Sequence, residues 1–463
     1  KVEWYDNLNL NSENTYHMRV VRVVDNPNVT TDRAVISGTI SDGTSGESNA
    51  DLVKVGDGVL ELSGANTFRS GLIVAEGTLV AGNNSALGAS DGAYVVVGNR
   101  GGSADAALLL KDGIAIDREI TLWNGSSGST TLGTEGTSGT ASFSGRIAAY
   151  RSFDITAAAG GTVNFDGRID LPGGETITKT GAGTANLNAT QNYGPNATLA
   201  ATAGTLNVNV PLPSTTDLSA DNAGTVVNFD NGGSRQDLDN VSIGAGAKVN
   251  FAADGSPTNT STFQSLSIAG TTGAWTGTLD LFDNDLVIQA GTNVAAAFAD
   301  VYDQVKSGFG FGLYDGTTGI ISTTAALDGT GTFGPVAAVA DDGVNLFLTQ
   351  FNGIAVDSTS IVVKFTYLGD LNLDGTVNID DYLQLQVYYN QTGQLYVNGD
   401  VNFDGTVNID DYLTLQTNFG ASGLAGGGAV ASASVGEFAA VPEPGTLGVL
   451  GLAAAGLLRR RRR

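Results

Sequence analysis

From about residue 51 the chain is a succession of short alternating apolar and polar runs, broken by glycine every eight to ten residues. Lys54-Val55-Gly56-Asp57-Gly58-Val59-Leu60-Glu61-Leu62 leads, through Ser63–Phe68, into Gly71-Leu72-Ile73-Val74-Ala75-Glu76-Gly77-Thr78-Leu79-Val80-Ala81-Gly82. Strands this short, with turn residues this regular, predict a β architecture. A diverged copy returns 125 residues on, as Lys179-Thr180-Gly181-Ala182-Gly183-Thr184-Ala185-Asn186-Leu187, then Tyr193, then Gly204–Val208. Units repeated at this scale predict stacked rungs, each burying its apolar face on the next. A β-sandwich is the alternative that the same pattern admits. Further strands are expected at Val226–Phe229, Ala247–Phe251, Thr278–Leu281 and Ile361–Tyr367. One helix interrupts them: Val294, Phe298, Val301, Tyr302 and Val305 recur at helical spacing, with Gly308 where a C-cap would fall. It is expected to cover an open end of the stack. Residues 1–50 are more polar, with one strand-like run, Met18–Val24, read as a leading strand or cap.

After Tyr367 the texture changes to a pattern written twice, thirty residues apart. The first copy is Asp370-Leu371-Asn372-Leu373-Asp374-Gly375-Thr376-Val377-Asn378-Ile379-Asp380-Asp381; the second is Asp400-Val401-Asn402-Phe403-Asp404-Gly405-Thr406-Val407-Asn408-Ile409-Asp410-Asp411. Calcium takes six to eight oxygen ligands, and each copy offers them at the spacing of a calcium loop. Asp370, Asn372 and Asp374 (Asp400, Asn402 and Asp404) hold positions one, three and five. Gly375 and Gly405 allow the turn at six. Thr376 and Thr406 give a backbone carbonyl at seven, Asn378 and Asn408 act at nine through a water, and Asp381 and Asp411 bind at twelve. Two such loops call for two Ca²⁺ ions. Three negative charges converging in each loop repel one another without a cation, so the metal-free module is expected to be loose. The strand Ile361–Tyr367 runs straight into the first loop, which places the module against the body.

This loop-then-helix form, with Asp at position twelve and no clear helix before either loop, resembles the dockerin type I module, whose members carry two calcium loops and dock onto cohesin domains. The family's usual small hydroxyl residues at positions ten and eleven are here Ile379 and Asp380, then Ile409 and Asp410. The resemblance therefore implies calcium more directly than a cohesin partner. Lys54–Gly88, and more weakly Lys179–Val208, resemble the autotransporter-associated β-strand repeat, which implies a right-handed parallel β-helix. Gly420–Ala440 is a Gly/Ala/Ser linker. Beyond it, Val441-Pro442-Glu443-Pro444, the fourteen uncharged residues Gly445–Leu458 and Arg459–Arg463 resemble the PEP-CTERM sorting tail. As a helix that run reaches about 21 Å, short of a hydrocarbon core of about 30 Å, so it suits a transient stop in the membrane better than a permanent anchor. The resemblance implies export and processing.

The organisation expected is thus residues 1–50 as leading strand or cap, 51–367 as a solenoid, 368–420 as the calcium module, 421–440 as linker and 441–463 as sorting tail. The chain begins at Lys1 with no charged-then-apolar leader, as if a signal segment had been removed.

Composition narrows the function classes. The net charge is −25 with only 22 Lys and Arg, which disfavours nucleic acid and anionic membrane surfaces as partners of the body. The absence of cysteine excludes disulfides and thiolate chemistry. The one histidine, His17, leaves a Ser-His-Asp triad little to work with and is read as an ordinary strand or loop residue. Trp4, Trp123 and Trp275 are read as core residues. A polysaccharide-active enzyme would need acids gathered on one rung face, and Asp166, Asp170, Asp280 and Asp283 are scattered among Gly/Asn-rich turns. The expected function is a non-enzymatic exported surface or matrix protein. Its open strand ends could stack on another copy, and its partners would be itself, a cohesin-like domain or an exopolysaccharide. A dockerin-type binding module and a β-helix enzyme are the alternatives.

Overall fold

A computed structural model describes residues 2–424, apart from 11–16, 30, 43–49, 231, 233 and 254–258; the linker beyond 424 and the sorting tail lie outside the described residues. The body is a parallel β-solenoid of about ten turns. Three sheets of 15, 8 and 9 strands form its faces. The first runs its full length. The second ends at Asn192–Tyr193, and the third begins at Ala115–Ile116, so the coil has two faces at either end and three in the middle.

Alternation along each strand separates core from surface. In Thr162–Phe165, Val163 and Phe165 point inward while Thr162 and Asn164 point out. Parallel in-register pairing then stacks like on like. Phe143 lies on Phe165 with ring centroids 5.4 Å apart, and Phe229 on Phe251 at 5.1 Å. Outside, Asn164, Asn186, Asn207, Asn228 and Asn250 form an amide ladder, each Nδ2 donating to the Oδ1 of the rung before at 2.7–2.8 Å.

The two sequence copies share one device. Lys54 and Lys179 are both fully buried at rung corners. The Lys54 ammonium donates to the carbonyls of Gly56 and Glu76 at 2.6 and 2.8 Å; that of Lys179 donates to Thr180, Gly181 and Ala203 at 2.8–2.9 Å. Burial pulls both amines down to about 8. The copies do not stack in phase, however. Lys54 lies on a strand of the second sheet and Lys179 on one of the first, so the repeat is offset around the coil.

The N-terminal segment already forms rungs. Val2–Trp4 pairs with Ala34–Ile36, and His17–Arg22 with Ala50–Val55, all parallel. His17 is exposed on that strand. Of the tryptophans expected in the core, only Trp275 is buried, donating to Asp303 at 2.7 Å. Trp4 is exposed on the outermost strand of the first sheet, and Trp123 carries the Arg100 guanidinium 4.2 Å above its ring.

The other end of the coil is closed. Ile361–Tyr367 enters antiparallel beside Leu286–Ile288 and pairs with Phe333–Val339, which ends the parallel ladder. Helix α1 (Val294–Phe309) covers the last rung, burying Val301, Val305 and Phe309. It runs past the expected stop: Gly308 is inside the helix, and the cap is Gly310 at φ 63°. A Cβ on Gly308 would stand 1.9 Å from the Ile320 carbonyl oxygen, so that glycine serves close packing on the strand Gly319–Ile321 rather than termination. A short helix, α2 (Thr323–Asp328), follows.

Candidate metal centre

The second half of each repeated pattern starts a helix, α3 (Ile379–Tyr388) and α4 (Ile409–Asn418). Asn378 and Asn408, assigned from sequence to position nine of the loops, are also their N-caps. Their Oδ1 atoms accept from the amides of Asp380 and Asp410 at 2.7 and 2.8 Å, and Asp381 and Asp411 complete capping boxes. That second role was readable in the Asn-x-x-Asp spacing.

The loops are near copies in three dimensions. Asp370 accepts from the amides of Asp374 and Gly375 at 3.0 Å each, and Asp400 from Asp404 and Gly405 at 2.9 Å each. Asp381 and Asp411 reach back across their loops to the amides of Leu371 and Val401, both at 2.8 Å. At position four, Leu373 and Phe403 hold φ values of 60° and 59°, a left-handed conformation costing side chains about 1–2 kcal/mol. Both side chains are buried. This left-handed turn, invisible in the sequence, lies between the residues assigned to positions three and five, where Asp370 and Asn372 both accept from the Asp374 amide at 3.0 Å.

Each loop is clasped by the strand-like segment after the other helix. Val377 exchanges backbone hydrogen bonds with Gly420 and Ala421, and Val407 with Asn390 and Gln391. The module sits on the closed end of the solenoid. Phe403 touches Tyr302 and Phe309 of α1, at 5.5 and 5.0 Å between centroids, and Tyr396 at 5.6 Å. Tyr302 Oη accepts from the Tyr396 amide at 3.0 Å, and Asn418 donates to the Thr332 carbonyl at 3.3 Å.

Asp370, Asp381, Asp400 and Asp411 are at most 1% exposed. Burial, reinforced by the neighbouring loop acids, pushes Asp370 up to about 6, Asp381 to about 7 and Asp400 to about 6, and raises Asp411. Acids and histidine alone gather into no group of three or more for a metal among the described residues. Each carboxylate at positions one and twelve is instead tied to backbone amides. The donor set that fits a hard cation is therefore mixed: these carboxylates, Asp374 or Asp404, the Asn amide oxygens and the carbonyl of Thr376 or Thr406. Two inward carboxylates per loop, disfavoured as anions where they stand, are what a bound divalent ion would relieve.

Residues 368–420 match the family model of the dockerin type I domain. Such domains bind calcium and typically bind cohesin partners. Outside this dockerin-like module, residues 52–81 match the passenger-associated transport repeat and residues 440–463 the PEP-CTERM protein-sorting motif. The last two indicate an exported protein. No curated protein and no solved structure matches the chain.

Three of the four acids considered for catalysis have partners on the solenoid. Asp166 accepts from Asn188 at 2.7 Å, Asp170 pairs with Arg146 and Arg168, and Asp280 is buried against Lys248 at 3.0 Å and Thr323. Asp283 lies two residues before the buried Asp285, whose carboxyl burial pushes up to about 6.

The raised carboxyls give the module a pH dependence. In the metal-free chain they bind protons more tightly than in the unfolded chain, whose carboxylates titrate near ~4. Metal-free stability is therefore present at low pH and lost as pH rises through about 6 to 7. Calcium needs the ionised forms, so its affinity should move the other way and rise across that window. Calorimetry in two buffers of different ionisation enthalpy should show proton release on calcium uptake at pH 6, and affinity of the first loop on the order of a hundredfold lower at pH 5.5 than at 7.5. A flat profile would contradict the burial of these acids.

Proposed function

We propose that the chain is a non-enzymatic structural protein of the cell surface or extracellular matrix, with a rigid solenoid body and a dockerin-like module that two calcium ions fold and lock. The ligands would be Asp370, Asn372, Asp374, Thr376, Asn378 and Asp381 in one loop, and Asp400, Asn402, Asp404, Thr406, Asn408 and Asp411 in the other. The observation that carries this reading is the pair of loops with buried, mutually repelling acids, seated on the closed end of the solenoid. Calcium outside the cytoplasm would then set the rigidity of the joint between body and module. Growth into fibres would have to use surfaces other than that closed end. Isolated from the exporting cell, the protein should fractionate with surface or matrix material, take up two calcium ions per chain and leave a panel of polysaccharides intact. Depolymerisation of any of them, or no calcium uptake, would overturn the reading.

A docking role for the module is favoured by one further feature. Ile379, Leu383 and Val387 on α3, and Ile409 and Leu413 on α4, each expose half or more of their surface in matching stripes. Such faces suit a protein partner of the cohesin type. Binding to a cohesin panel in calcium, lost in chelator, would establish it.

A further inference from the structure

The two loops have the same ligand set, but the chain surrounds them differently. Behind the first ends the side chain of Lys364, from the last strand of the solenoid. Lys364 is 1% exposed, and its ammonium lies 5.7 Å from the centroid of the Phe351 ring. It also lies 3.9 Å from where a Cβ on Gly375 would stand, and Gly375 is position six of the loop. There it attracts the carboxylate of Asp370 and that of the buried Asp285. Thr366, two residues along the same strand, donates to Asp370 as well. The second loop has a different setting. A Cβ on Gly405 would meet nothing within 4 Å, and Asp411 and Asp404 repel Asp400 as Asp374 repels Asp370.

We propose that Lys364 is a tethered counter-ion for the first loop, which makes that loop the weaker calcium site and leaves the second loop to fill first. The inference rests on both loops being calcium sites. A divalent ion entering the first loop meets an ammonium held nearby in a region of low dielectric, and the like charges repel. The same ammonium attracts Asp370 of the empty loop, an attraction with no counterpart beside Gly405 in the second. Calcium therefore acts in two steps: the second loop is ordered at low concentration, and the first is drawn tight against the solenoid only as the concentration rises.

The test uses the full chain with one loop disabled at a time. Calorimetric titration of Asp374→Ala reports the second loop, and of Asp404→Ala the first. The second should bind calcium on the order of tenfold more tightly. Adding Lys364→Met to Asp404→Ala should bring the first loop toward the affinity of the second, while Lys364→Arg should preserve the gap. The single-loop comparison stands even if Lys364→Met folds poorly. Equal affinities, or a tighter first loop, would overturn the inference and leave the calcium reading intact. No uptake by the unmutated chain would overturn both.

Discussion

Alanine at Asp374 and Asp404 together is expected to abolish calcium uptake and to melt α3 and α4, while the solenoid keeps its β structure. These two acids are the choice because they are the more exposed members of their loops, whereas Asp370, Asp381, Asp400 and Asp411 are part of the module's packing. The helices they serve span ten residues each, below the ~12–15 at which an isolated helix is even marginal in water. Their order has to come from packing and from the ions. A site filled at a thousand times its dissociation constant contributes about 4 kcal/mol, so two such sites approach the ~5–15 kcal/mol that holds a small domain together. Calorimetry of the unmutated chain should show a calcium-dependent transition separate from that of the solenoid, and the double variant should lack it at millimolar calcium. Hydrogen exchange should localise the loss to residues 379–388 and 409–418. Undiminished uptake by the variant would show that the ions are held by other groups.

The solenoid will be indifferent to calcium because its order has another source. Its rungs pair parallel and in register, on three faces in the middle, and stack like on like, as Phe143 does on Phe165. This periodicity was legible in the sequence, since alternation and glycine spacing encode rungs directly. What the sequence could not show was phase. Lys54 and Lys179 open copies of one motif, and both cage their ammonium in backbone carbonyls, yet they lie on different sheets. The number of residues in each corner decides which face a strand joins, and corner length leaves no trace in hydrophobic pattern. Helix α1 was found for the same reason as the rungs, by its apolar spacing. Its end was misplaced because a glycine needed for close approach to Ile320 reads in sequence like a glycine needed for a cap.

At the candidate metal centre the ligand types were legible and their support was not. Repetition at a fixed spacing is what nominates the oxygen donors. The left-handed backbone at Leu373 and Phe403, the clasp of each loop by the segment after the opposite helix, and Lys364 behind only one loop depend on contacts between residues far apart in sequence. A duplicated sequence argues for duplicated sites; the neighbours supplied by the solenoid give the two loops unequal surroundings.

Phe403→Asn should have the second large effect, and at a different joint. Phe403 is 2% exposed and meets Tyr302, Phe309 and Tyr396 at once, so its ring links helix α1 to the module. Alanine there would lose the ring and would also strain a backbone held at φ 59°. Asparagine tolerates that conformation, so the variant isolates the ring. Removing a buried phenylalanine costs about 3–5 kcal/mol. That loss falls on the contact between body and module rather than on the ligands, because position four supplies no oxygen from its side chain. Calcium should still be taken up by the first loop, whose counterpart residue Leu373 is untouched. The module should nevertheless become susceptible to proteolysis between Tyr367 and Asp400 at calcium concentrations that protect the unmutated chain. If protection is unchanged, the aromatic cluster does not hold the joint, and Lys364, Thr366 and Asn418 are left to hold the module to the solenoid.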